Sequence, residues 1–305
     1  MAKAGLLFAG TDDGIVLFSD PGGTGRWFRV GQELRGQAIR AIWPAVDSPL
    51  VLLAAGDGIG LQRSGDGGQR WQQTLAADVC SIAGHPRDAR SLYLAAAGGA
   101  VYRSADEGAS WSLCPPDARP AASQAAQLIV ATDDPQRLFL RLDDGIWSSA
   151  DGGERWALYG QGFPDAAVGL VADPAHPGGL YTVAGDTLCR CAAAEARWEP
   201  IGVAGAGQCL ALAALPGKAP VLLAAWAGSG IARSDDGGAS WATVGPDAAW
   251  QGELTTIIAA RYHIDTAFAG SAGGQLGQSS DRGRTWQVLK SELGPVRSVA
   301  AARLA

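Results

Sequence analysis

A run of apolar residues long enough to cross a membrane is missing from this 305-residue sequence. The nearest approach, Leu210 to Ala227, is interrupted by Pro216, Gly217 and Lys218, short of the roughly 20 residues a spanning helix needs. The opening "MAKAGLLFAGTDDG" has one lysine and too short an apolar run for a secretory signal. Basic excess is also missing: 24 Lys and Arg stand against 30 Asp and Glu, a net charge of −6. Nucleic acid and anionic membrane surfaces both call for a basic footprint, so neither is expected as a partner. Cysteines number five, an odd count without an export signal, which reads as reduced thiols in a cytoplasmic protein. Cys189 and Cys191 share a strand face, but no second pair stands near them in sequence, so they read as buried apolar thiols. No metal and no cofactor is expected. No helical period extends over ten residues.

What is abundant is glycine, 43 residues, within a chain that is 47% hydrophobic. Many turns and a sizeable core follow from that combination. One turn-like string recurs: "SGDGGQRW" from Ser64, "SADEGASW" from Ser104, "SADGGERW" from Ser149, "SDDGGASW" from Ser234 and "SSDRGRTW" from Ser279. The shared pattern is Ser-x-Asp-x-Gly-x-x-Trp. Its members are Ser64, Asp66, Gly68 and Trp71; Ser104, Asp106, Gly108 and Trp111; Ser149, Asp151, Gly153 and Trp156; Ser234, Asp236, Gly238 and Trp241; and Ser279, Asp281, Gly283 and Trp286. Two worn copies fill the gaps. One ends at Trp198, with Cys191 and Ala193 in place of Ser and Asp, and the other, "FSDPGGTGRW", ends at Trp27. The seven tryptophans then lie 40 to 45 residues apart.

Each unit contains four short runs of strand composition, for example "DVCSIAGHP", "SLYLAAAGG", "AVYRS" and "WSLC". Four antiparallel strands repeated seven times predict an all-β, seven-bladed β-propeller. The first residues match the second and third strands of a unit, and "GPVRSVAAARLA" from Gly294 matches a first strand. Residues 1–305 are therefore expected to form one propeller domain. Its first blade is shared by residues 1–35 and 294–305, the C-terminal strand closing the ring and hiding sheet edges.

The repeated string resembles the Asp-box, or BNR repeat, of bacterial sialidases, xyloglucanase-type propellers, sortilin-like receptors and the photosystem II assembly factor family. In that resemblance the box is the turn between the third and fourth strands of a blade. The aspartate accepts backbone N–H bonds within its own turn, the glycine allows positive φ and the tryptophan pins the fourth strand. One copy per blade cannot converge on one substrate, so the boxes read as structural clips and not as acid–base or metal groups.

Sialidase chemistry, as the resemblance implies it, needs a tyrosine nucleophile and an Arg-Ile-Pro string. Here "WFRVG" at Trp27 lacks the proline; Tyr93, Tyr102 and Tyr181 fall inside strand patterns, Tyr159 in a fourth strand and Tyr262 on the box face. Xyloglucanase-type enzymes pair two propellers, and this chain supplies one. The photosystem family matches in size, but the arginine-rich patch it implies is not evident. His85, His176 and His263 all lie in first-to-second connections, which leaves none on the opposite face, and no nucleophile-elbow motif is present. Catalytic residues are therefore unknown.

A site is expected on the face of the second-to-third and fourth-to-first connections, around the channel mouth. At the end of the second strands the units read Thr11, Gly56, Ala96, Arg141, Val183, Trp226 and Ser271. Arg141 and Trp226 break that run of mostly small residues. Trp250, Gln251 and Glu253 stand in a fourth-to-first connection, so Trp226 and Trp250 are expected side by side as an aromatic platform with Gln251 and Glu253 as polar partners. Arg40 and Arg297, near the starts of first strands, are secondary candidates. Asp12, Asp13, Asp57, Asp143, Asp144 and Asp186 make the same loops acidic. The expected function is a cytoplasmic, non-catalytic binding or assembly scaffold, taking a protein partner or a carbohydrate or peptide ligand on the channel face. The alternative is a glycosidase- or lyase-type enzyme using carboxylates at the channel mouth.

Overall fold

The computed structural model describes residues 4–45, 48, 50–85, 88–115, 127–164, 167–193, 197–203, 207–244 and 250–304. Seven sheets of four antiparallel strands make a seven-bladed β-propeller. A 3-10 turn, Ala97–Gly99, is the one helical element among the described residues.

The chain divides into two compact units, Met1–Tyr159 with Ala300–Ala305, and Gly160–Val299. Blades two to four, and blade one apart from Val296–Val299, lie in the first unit. Blade one takes its inner strand from the end of the chain, Val296–Arg303, which lies beside Gly5–Thr11, followed by Gly14–Asp20 and Phe28–Glu33. Leu304 N donates to the Ala4 carbonyl at 2.9 Å, extending that pairing. The expected sharing of one blade by the two ends of the chain is thus observed. Blade two shows the ordinary arrangement: Ile39–Pro44, Leu52–Gly56, Gly60–Ser64 and Gln72–Leu75. Blades five to seven form the second unit, with first strands Ala167–Ala172, Cys209–Leu215 and Leu254–Ala259.

Second strands are buried on both faces, so they are continuously apolar. Leu52–Gly56, Val221–Trp226 and Ala267–Ser271 have no exposed residue. Strand alternation then sends neighbours to opposite layers. In blade six, Val221, Leu223 and Ala225 pack with Leu254, Ile257 and Trp286 of blade seven. Leu222, Ala224 and Trp226 pack with Tyr181, Val183 and Leu188 of blade five. Each such leucine contributes about 1.5–3 kcal/mol by leaving water. First strands carry a feature the sequence did not announce. The pairing slips between Ile39 and Ala41, Val79 and Ser81, Cys209 and Ala211, and Leu254 and Thr256. Such a bulge turns one side chain out of the regular alternation; Arg40 is one of these residues.

Candidate functional site

The repeated string forms one turn in five blades, between the third and fourth strands. Each serine is almost fully buried and makes the same bonds. Ser64 Oγ donates to Asp66 Oδ1 at 2.9 Å and accepts from Gly68 N at 2.9 Å. Asp66 Oδ1 accepts from Arg70 N at 2.9 Å, and Trp71 Nε1 donates to the Gly68 carbonyl at 2.8 Å. The position before each tryptophan, to which the sequence reading gave no role, completes the turn. Arg70, Ser110, Arg155, Ser240 and Thr285 each donate both a backbone N–H and a side-chain group to the motif aspartate.

Those side-chain bonds, with the backbone N–H bonds, hold Asp66, Asp106, Asp151 and Asp236 at a pKa of about 2, below the ordinary 3.8. Acceptors occupied in this way are committed to their turn.

The motif glycines do more than take positive φ. A Cβ on Gly108 would lie 2.8 Å from Leu53 of the preceding blade, and one on Gly153 would lie 3.0 Å from Cys114 Sγ. Gly238 and Gly283 abut Leu188 and Leu223 more closely still. The turn is therefore also the seat on which the previous blade rests. A second tie runs the other way: Arg63 Nε donates to the Glu107 carbonyl at 3.0 Å, and Arg233 Nε to the Arg282 carbonyl at 2.8 Å.

Blade five has lost the serine and aspartate, and its arginine turns elsewhere. Arg190 Nη2 lies 2.9 Å from Asp173 Oδ2, and His176 Nδ1 lies 3.0 Å from the same oxygen. Asp173 Oδ1 accepts from Ala175 N and His176 N. The Asp173 side chain is inaccessible to solvent, while burial and the Asp173 charge raise the Tyr181 phenol beneath Arg190. Sequence reading had placed His176 alone in a turn; the carboxylate that joins it to Arg190 is three residues upstream. The group is an ion-pair network with its acceptors filled.

On the opposite face, the second-to-third and fourth-to-first connections meet as expected. Ala272 N donates to the Glu253 carbonyl at 2.7 Å, Ala227 N to the Gln208 carbonyl at 2.9 Å, and Asp57 N to the Ala38 carbonyl at 3.3 Å. Gln251 and Glu253 are exposed there. Arg40 is exposed and pairs with Asp57 at 2.8 Å, and Arg297 is exposed as well. Arg141 is half-buried, and burial lowers its pKa against the pull of Asp143.

The aromatic platform requires correction. Trp226 is 3% exposed, with its Nε1 unpartnered among the described residues. It packs in the layer shared with blade five. Trp250 packs in the layer shared with blade seven, edge-on to Trp286 at 6.1 Å and against Gly277. The sheet of blade six separates the two indoles. Adjacent connections had placed their backbones together, but residue 226 follows strand alternation into the core.

The loop carboxylates are largely engaged. Asp13 accepts from Gly36 N at 2.6 Å and Gln32 Nε2 at 3.1 Å. Asp144 accepts from Trp147 Nε1 at 3.2 Å, and Asp186 from Thr187 Oγ1 at 3.0 Å. Burial raises Cys191 and Cys209 to about 11, which keeps both as thiols. Among the described residues, no group of three or more His, Cys, Asp or Glu side chains is placed to hold a metal ion.

No protein-family model matches the chain, and no curated protein matches it in sequence. Solved structures do match in fold. One is YCF48 bound to D1 peptide, 18% identical over 83% of this chain and 82% of that one, with a TM-score of 0.62. Another is YCF48 from Cyanidioschyzon merolae, 14% identical over 85% and 87%, TM-score 0.63. A third is the GH74 xyloglucanase from Xanthomonas campestris, 20% identical over 83% of this chain, TM-score 0.65. This chain spans 45% of that enzyme.

Proposed function

We propose that the chain is a non-catalytic binding scaffold of the Asp-box type, holding a protein or peptide on the face opposite its motif turns. Arg297, Gln251 and Glu253, all in the second unit, are the residues assigned to contact. One observation carries this reading: the loop aspartates described on that face are engaged, Asp13 by Gly36 and Gln32, Asp57 by Arg40, Asp144 by Trp147 and Asp186 by Thr187, so they are held by neighbouring groups and not poised as an acid and a base. The likeness to a propeller bound to a peptide, along most of both chains, supports the same reading. The odd number of thiols is the motive for placing the scaffold in the cytoplasm.

Affinity capture from the native organism should recover a partner with the wild-type protein and lose it with the combined variant Arg297→Glu, Glu253→Lys. Xyloglucan incubated with the protein should release no reducing ends. Turnover of that polysaccharide would overturn the scaffold reading in favour of a glycosidase, and capture indifferent to the changes would overturn the assignment of these residues as contacts.

A further inference from the structure

Tyrosine faces arginine across paired strands in two blades. Tyr181 lies opposite Arg190 in blade five, and Tyr93 lies opposite Arg103 in blade three. The chain itself fills the first pair. Asp173 Oδ2 accepts from Arg190 Nη2 at 2.9 Å, and a side-chain hydrogen bond joins the same carboxylate to Tyr181. Asp173 stands eight residues before its tyrosine, and eight residues before Tyr93 stands His85. The strand pairings put both at the same place, one step past Ala172 opposite Leu180 and one step past Gly84 opposite Leu92. Blade three therefore keeps the tyrosine and the arginine but has no carboxylate at that position.

Tyr93 is 0% exposed, and its Oη is buried with no hydrogen-bond partner among the described residues. Buried hydroxyls seldom stay unmatched. Arg103 is half-buried. At the same strand position Arg63 and Arg233 donate to a carbonyl of another blade; among the described residues the Arg103 side chain makes neither such a bond nor an ion pair. Three polar atoms converge beside Gly152, in the motif turn of blade four. From the place of a Cβ on that glycine, Gln136 Oε1 lies at 2.5 Å, Tyr93 Oη at 3.0 Å and Arg103 Nη1 at 3.5 Å. Gln136 is bonded through its main chain, its N–H to Asp134 and its carbonyl from Gly152 N, so its side-chain amide can turn either end inward. In blade five the corresponding wall is Pro220, whose carbonyl accepts from Gly237 N. Two carboxylates act on Tyr93 from a distance, Asp88 and Asp134, each more weakly than Arg103 does. Both are taken up by their own turns: Asp88 accepts from Arg90 N and Ser91 N, and Asp134 from Gln136 N.

We propose that blade three binds a compact carboxylate from solution between Tyr93, Arg103 and Gln136, on the face of the motif turns and apart from the scaffold face. The Tyr93 hydroxyl, the Arg103 guanidinium and the Gln136 amide donate to its two oxygens, as Arg190 and Tyr181 do to Asp173. A water molecule would match the tyrosine but leave Arg103 without the counter-charge that Arg190 has, and a charged acceptor makes the stronger bonds. Because Tyr93 Oη is inaccessible to solvent, the group that reaches it is small, of the size of formate or acetate, and the Gln136 side chain moves to admit it.

The test uses acetate as the probe, at ionic strength held constant with sodium chloride. Saturation-transfer NMR of the acetate methyl protons should show saturable binding to the wild-type protein, and the thermal midpoint should rise with acetate concentration. Arg103→Met should weaken binding about tenfold or more. Tyr93→Phe keeps the ring and removes only the oxygen, and it should weaken binding as well. His85→Asp should supply a carboxylate from within, as blade five does, and abolish the acetate signal. The scaffold-face variant Arg297→Glu, Glu253→Lys should bind acetate as the wild type does, so the two sites fail or survive separately. Absence of a saturable signal, or a signal indifferent to both Arg103→Met and Tyr93→Phe, would overturn the proposal. So would a midpoint that acetate raises no more than the same concentration of chloride, since water or any passing anion would then be the occupant.

Discussion

A serine hydroxyl that is nearly inaccessible, bonded to one carboxylate and one amide in every motif turn, explains why the string tolerates little variation. The aspartates beside it set the acid stability. Asp66, Asp106, Asp151 and Asp236 fall to about 2 in the fold from 3.8. The unfolded chain therefore binds more protons between those values, and stability rises with pH there. The stabilisation is complete above 3.8 and is lost as pH falls through 2. Thermal midpoints should hold level from neutrality to about pH 4 and then drop, and Asp236→Asn should lower the plateau and shallow the drop. The glycines predict a contrast. Gly58 has φ +72° with nothing within 4 Å of a Cβ, whereas Gly238 has φ +102° and abuts Leu188. Gly58→Ala should cost about 1–2 kcal/mol from conformation alone. Gly238→Ala should cost about 2–4 kcal/mol, since overpacking adds to it. Denaturant titration of the two variants checks this.

Elements in this fold are held by what crosses between them. Trp27 presses on Gly5, Trp43 on Gly84, Trp250 on Gly277 and Trp198 on Gly160, so four tryptophans outside the five intact motifs seat in glycine notches. Trp226 belongs to the core between blades five and six. Trp226→Ala should accordingly destabilise the protein by about 3–5 kcal/mol, as large core truncations do. A change in binding at unaltered stability would show that the indole is surface after all. The closing strand is the other element with a sharp expectation. Val299 and Ala300 are each 7% exposed, and removal of residues Ser298 to Ala305 takes away both together with most of the pairing to Gly5–Thr11. Val299 alone represents about 1.5–3 kcal/mol. Leu304, half-exposed, adds less than its type promises. A truncated chain that melts where the full chain does would contradict the role of this strand.

For the molecule as a whole, charge is the property that composition settles most directly. A net charge of −6 and a pI near 5.1 set a repulsive background for polyanions. Duplex DNA should show no mobility shift at physiological salt, because counterion release needs a cluster of basic contacts. The fold itself is shared with chains 14 to 20% identical to this one. At that distance the likeness shows the fold alone and assigns no function.

The sequence by itself determined the blade count, the strand order within each blade and the joining of both chain ends in blade one. It could do so because a turn with a buried serine, a bonded aspartate and a crowded glycine permits few substitutions and therefore recurs visibly. It also put Gln251 and Glu253 in a connection and Arg40 near the start of a first strand, and the structure shows all three exposed, since antiparallel alternation assigns connections to faces. Tertiary structure alone decided the rest. Trp226 looked like a break in a run of small loop residues, yet its side chain enters the core, because one step along a strand reverses the layer a residue faces. Arg190, His176 and Asp173 are spread over 17 positions in the chain, and they meet only because a hairpin folds one strand beside the next. Tyr93, Arg103 and Gln136 likewise meet only through strand pairing and the contact of two blades. Neighbours across a sheet and between sheets are set by pairing between distant segments, which local composition does not encode.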